Sequence, residues 1–249
     1  MMRLITLELR QNRLKIYMLA TLACIATILV LSYIFANTPN TQPSNEIEAM
    51  LMPLIATMFG NYENIITISS IIGMACFALL SSAAFSQLVV SDYMGKRVNL
   101  LFAYPIDRSK LFLSKVIIVF VFTIAAMIIS SAIAFGIFFL TEPHFAIVAG
   151  DTLSAGLFIR TAQISLIFSV LAGGIGLISL WFGFKRKSIQ ATIIPAVIMA
   201  TIGTNVLTSP MLMGSVSMVF LTVIAVGALV AGVLLTINLT RNVKYMEAE

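Results

Sequence analysis

The chain has 249 residues, of which 60% are hydrophobic and 10% charged, and its mean hydropathy is +1.05. Soluble domains use about 25% charged residues, so a soluble globular protein is excluded. The net charge of +5 and pI near 9.4 must be tested as a topology signal before they are read as nucleic-acid affinity. A bilayer core about 30 Å thick takes about 20 apolar residues per crossing at about 1.5 Å of rise each. The length therefore holds a handful of helices joined by short loops, and we expect an all-α polytopic membrane protein forming a single transmembrane domain over residues 1–249.

The first stretch, 1–15, sets Arg3, Glu8, Arg10, Arg13 and Lys15 among Leu4, Leu7, Leu9 and Leu14, a pattern that predicts a helix lying along the membrane surface. The first span follows at roughly 16–36. It lacks the short apolar region and small-residue cleavage site of a signal peptide and is expected to be retained. Residues 37–45 are rich in Pro, Asn and Thr and predict an irregular loop, while 49–60 is apolar, too short to cross and expected to break at Pro53 at the outer interface. Further spans are expected at roughly 64–90, 115–140, 161–183, 188–206 and 215–239, six in all. The segment 142–160 resembles 49–60 in character, and a brief turn around Ser209 and Pro210 joins the last two spans.

Cys24 and Cys76 both fall inside apolar runs, where thiols act as small hydrophobes. Polar content within the spans is mostly hydroxyl and small residues: Ser69, Ser70, Ser81, Ser82, Ser130, Ser131 and the run Gly173-Gly174-Ile175-Gly176. These suit close helix packing, as do the small-xxx-small spacings Gly227 to Ala231 and Ala228 to Gly232, within one subunit or at a dimer seam.

Sidedness follows from the basic residues. Arg3, Arg10, Arg13 and Lys15 precede the first span, Lys96, Arg97, Arg108, Lys110 and Lys115 lie between the second and third, Lys185, Arg186 and Lys187 between the fourth and fifth, and Arg241 and Lys244 follow the sixth. Only Arg160 falls on the opposite side, which instead collects Glu46, Glu48, Glu63, Glu142 and Asp151. By the positive-inside rule both termini are cytoplasmic in a bacterial plasma membrane, and the basic pI no longer argues for nucleic acid.

Sites of chemistry are scarce. The one histidine, His144, lies in an outer loop, there is no HExxH, and no nucleophile sits beside a base, so no enzyme is expected and no metal site. Gly95-Lys96 is followed by Arg97 and lacks the upstream glycine of a Walker A loop; ATP-driven work must be powered by another chain. Ion-coupled transport is unsupported, because the spans carry almost no ionisable groups. Arg160 is expected near the outer interface, either snorkelling to lipid phosphates or pairing with Glu142 or Asp151 to close an outer gate.

The richest stretch is the connection from Ser91 to Lys115. Met94, Val98, Leu101 and Phe102 fall at i, i+4, i+7 and i+8 and share one helical face, Pro105 should end that helix, and Asp107 is placed to cap the next. Such an apolar stripe on a short helix needs a cover: the chain's own bundle, lipid or a docked partner.

Here the sequence resembles the permease subunits of ABC transporters of the ABC-2 type. That family's pattern is an acidic residue, a glycine a few places on, a pair of leucines, Pro-Ile-x-Arg, and a lysine at the start of the third span, matched by Asp92, Gly95, Leu100, Leu101, Pro105, Ile106, Arg108 and Lys115. It departs in carrying a single acid where the family often has a run, and Lys96 where a small hydroxyl residue is common. The resemblance implies that 1–15 is the elbow helix and 91–114 the coupling segment, with Asp92, Met94, Gly95, Val98, Leu101, Phe102, Pro105 and Arg108 contacting a separate ATPase subunit. It also implies a second permease copy or paralogue beside this one in the lipid, and ATP and magnesium held by the ATPase, with no cofactor on this chain. Short, very apolar permeases of this kind are similar to exporters of antimicrobial or cytolytic peptides such as phenol-soluble modulins. The alternatives are a channel or small immunity membrane protein that needs no ATPase, or ABC-2 export of a drug or lipid.

Overall fold

Apolar runs that must satisfy every backbone group internally can cross a bilayer only as helices or closed barrels. The computed structural model describes residues 14–40, 46–93, 108–145, 154–186, 188–208 and 218–245, and among them there are seven α-helices and no strand. Six are long and apolar enough to span a membrane: α1 (Leu14–Asn37), α3 (Tyr62–Leu88), α4 (Arg108–Phe145), α5 (Ala155–Arg186), α6 (Gln190–Thr208) and α7 (Met218–Tyr245). The protein is an all-α, multi-pass membrane protein with the six expected spans. Several helices outrun the expected boundaries, because hydropathy marks only the apolar stretch whereas the hydrogen-bonded backbone continues into polar turns such as Arg108-Ser109-Lys110.

The remaining helix, α2 (Glu46–Phe59), corrects one expectation: it runs through Pro53 without breaking. The proline gives up one intrahelical bond and remains exposed. With 14 residues α2 reaches about 21 Å and cannot cross. Phe59 at its end stacks on Phe35 of α1, with ring centroids 5.0 Å apart, which fixes the helix against the bundle.

The bundle is built around α3 and α5. They pack on each other and together touch every other span, with α1 against α3 and α4, α7 against α5 and α4, and α6 across both central helices. In their most apolar stretches 72% and 78% of residues are buried, against 11% in α1, 22% in α6 and 17% in α7. The outer helices thus turn apolar side chains such as Leu19, Val197 and Val223 outward, a surface that only lipid or another membrane helix can cover.

Small residues set the closest approaches. A Cβ on Gly174 of α5 would lie 2.9 Å from the carbonyl carbon of Ala228 in α7, and one on Gly232 would lie 3.1 Å from the Gly174 carbonyl oxygen. The Ala228/Gly232 pair therefore serves packing within the subunit. Gly227 has no neighbour within 4 Å of its would-be Cβ, so the second small-residue pair, Gly227 and Ala231, faces outward.

Charged residues lie towards both ends of α4 and α5. Lys115 and Glu142 are separated by about 40 Å along α4, and Arg160 and Lys185 by about 38 Å along α5, at about 1.5 Å per residue. These separations agree with a bilayer of roughly 40–45 Å including its headgroup regions. Arg160 lies in the second turn of α5, at the end of the bundle opposite Lys185.

Candidate functional site

The end of the bundle that carries Lys115, Lys185 and Arg186 is organised by the exit of α3. The Val89 N–H returns to the Phe85 carbonyl at 3.0 Å, and a 3-10 turn over Val90–Tyr93 follows, in which the Asp92 N–H donates to the Val89 carbonyl at 3.3 Å. Val89 and Val90 are fully buried, which pins the turn and fixes where Asp92 points. Two turns into α4, Lys115 donates from Nζ to Asp92 Oδ2, forming a salt bridge. The lysine side chain is 7% exposed and the aspartate 25%.

A buried ammonium loses hydration worth several kcal/mol and needs an oxyanion in return. Phe112 and Val116, on either side of Lys115 in α4, are buried in the same apolar cluster as Val89, Val90 and Phe85, and Phe112 meets Phe184 of α5 edge to face at 5.4 Å. Tyr17 of α1 donates to Gln87 Oε1 at 3.2 Å, tying the outermost helix to the same exit. On α5, Lys185 lies 4.9 Å from the centre of the Trp181 ring, which orients one member of the basic cluster.

The pair joins the exit of α3 to the start of α4, the two ends of the connection singled out by the sequence pattern. Asp92 and Lys115, the first and last positions of that pattern, are brought into contact. Met94, Gly95, Val98, Leu101, Phe102 and Pro105 lie outside the described residues, while Arg108 opens α4, where a helix start after Asp107 was expected. Of the predicted surface helix, residues 1–13 also lie outside, and Leu14 and Lys15 begin α1.

At the opposite end Arg160 forms a 2.7 Å salt bridge with Glu63, in the first turn of α3. This differs from the expected partners, Glu142 and Asp151. Glu142 is buried near the end of α4, 2% exposed, and Asp151 lies outside the described residues. The sequence placed Glu63 on the same side as Arg160 but gave no reason to prefer it; the reason is tertiary, since α3 and α5 are packed neighbours whose first turns lie at the same end. Around this pair are aromatic contacts of Tyr33 and Tyr62 with Phe138, and of Phe139 with Phe158.

The signal that sequence reasoning underused was Lys115 itself. A lysine inside a helix and followed by an unbroken apolar run either snorkels to the interface or is paired.

Over 199 residues, 79% of this chain, the sequence is 27% identical to the uncharacterized protein YcbO of Bacillus subtilis (strain 168), 81% of whose length the match covers. No family model and no solved structure matches the chain.

Proposed function

We propose that the chain is the membrane-spanning permease subunit of an ATP-driven ABC-2 exporter in a bacterial plasma membrane, with both termini cytoplasmic, that moves amphipathic peptides of toxin, antimicrobial or bacteriocin type out of the cell. The observation that carries the reading is the Asp92–Lys115 salt bridge, which joins the two ends of the segment whose sequence resembles a coupling segment. A docked ATPase pushing on that segment would move α3 and α4 as one body, and α3 is the buried centre of the bundle. Alternation between two packings of the helices then converts nucleotide-driven motion into transport. ATP and magnesium belong to the separate ATPase, and a second permease copy or paralogue covers part of the exposed apolar surface.

Amphipathic peptides suit the outer helices, whose faces are apolar and nearly free of charge, so a peptide carrying its own apolar face can enter from the inner leaflet. The test is purification of the native complex from its own membrane, with identification of every chain and of any bound peptide. The reading predicts an ATPase subunit and an amphipathic peptide in the complex. A chain that purifies without an ATPase, and conducts or protects by itself, would replace it with the channel or immunity reading.

A further inference from the structure

The two cysteines lie 52 positions apart in sequence, one at the middle of α1 and one at the middle of α3, and the fold brings them to one seam. These antiparallel helices keep a regular register. Ser32 Oγ donates to Ser69 Oγ at 3.1 Å. One turn along, Ile28 lies over Gly73, where a Cβ would come within 2.9 Å of the isoleucine Cδ1. One turn further, the same register sets Cys24 of α1 opposite Cys76 of α3. Gly73 brings the helices close just beside the thiols, and the steps of four residues in 32, 28, 24 and of four then three in 69, 73, 76 keep the same faces opposed. Both are free thiols and half-buried.

We propose that Cys24 and Cys76 form a dithiol modification site, oxidised to an interhelical disulfide by organic hydroperoxides dissolved in the membrane, that locks α1 onto α3. Among the described residues no third His, Cys, Asp or Glu joins them to make a metal site, so the chemistry open to the pair is two-electron oxidation. One sulfur attacks the peroxide, the O–O bond breaks, an alcohol leaves and the cysteine becomes a sulfenic acid. The second sulfur then attacks the sulfenic sulfur, the S–S bond forms, the S–O bond breaks and water leaves. Two thiols and one hydroperoxide thus give one disulfide, one alcohol and one water. The mid-helix position exposes the pair to lipid-soluble oxidants and shields it from glutathione, whose charges exclude it from hydrocarbon. A disulfide requires side chains already facing each other at short range, which the register supplies.

The experiment uses the full chain in lipid vesicles, treated with cumene hydroperoxide, then denatured and alkylated with N-ethylmaleimide for intact-mass measurement. Before oxidation both thiols should be alkylated. Afterwards neither should be, the protein should be two hydrogens lighter at monomer mass, and dithiothreitol should restore both sites. A double variant, Cys24→Ser with Leu22→Cys, moves the α1 thiol to a residue that is 64% exposed and should keep two alkylatable cysteines. Wild-type protein that keeps both thiols, gains oxygen without losing alkylation sites, or cross-links between chains would overturn the proposal, as would equal cross-linking of the displaced variant.

Discussion

Lys115 of α4 donates a hydrogen bond to the Asp92 carboxylate across 23 positions of sequence, and the lysine is the more deeply buried of the two. Burial and pairing are inseparable here. The pair rests on a shelf of buried Val89, Val90, Phe112 and Val116, so the ammonium sits in largely apolar surroundings. Removing one partner of a buried pair is costly, whereas replacing both with apolar groups is often neutral. Asp92→Asn should therefore destabilise the protein by roughly 3 kcal/mol, read as a fall in the thermal midpoint of the detergent-solubilised protein. The double variant Asp92→Leu with Lys115→Met should recover most of that loss. A single variant as stable as wild type would show that the lysine finds its counter-charge elsewhere.

The pair at the other end behaves differently. Arg160 and Glu63 have side chains 43% and 36% exposed, and exposed ion pairs are worth about 0–1 kcal/mol. Arg160→Gln and Glu63→Gln should each leave insertion, stability and transport close to wild type. Loss of peptide export by Arg160→Gln, with ATPase binding retained, would instead assign the pair to an outer gate.

The seam between α5 and α7 offers a contrast on the same kind of residue. Gly174 has no room for a side chain against Ala228, whereas Gly227 faces open space. Overpacking costs about 1–3 kcal/mol or more where backbone must shift. Gly174→Leu should lower the thermal midpoint by several degrees and Gly227→Leu should leave it unchanged or raise it, since glycine is the poorer helix former. Equal effects at both positions would mean that the seam is not where the helices meet.

The proposed orientation is tested by single cysteines placed in a Cys-free version at Ser44, Lys96, Asp151 and Arg186. An impermeant maleimide added to intact cells should label positions 44 and 151 and spare 96 and 186. Labelling at 96 or 186 would invert or break the six-span topology.

The spans were legible in the sequence because a bilayer imposes a length and a composition that few other structures share. Their partners were not. Hydropathy says that α3 and α7 are both apolar, yet one is buried at the centre and the other lies at the edge, a distinction carried by glycines and hydroxyls whose neighbours only the fold supplies. Ala228 and Gly232 could be picked out by spacing, but not that they would meet Gly174. Pro53 looked like a break, and the helix continued through it. At the site, the pattern from Asp92 to Lys115 named two residues that the fold pairs, while that contact, like that of Arg160 with Glu63, depends on helix packing that local sequence does not encode.

The coupling of the 91–114 segment to an ATPase is the centre of the functional account, and Leu101→Asp tests it most directly. Met94, Val98, Leu101 and Phe102 have the sequence spacing of one apolar helical face, and each side chain fully buried in a partner's groove contributes about 1.5–3 kcal/mol. The variant should be compared with Lys187→Ala, a control in the other basic loop, after both are shown to insert normally. The measurement is co-purification of the ATPase together with peptide-stimulated ATP hydrolysis. The account predicts that Leu101→Asp loses both and Lys187→Ala keeps both; undiminished binding and hydrolysis in a correctly inserted Leu101→Asp protein would contradict it.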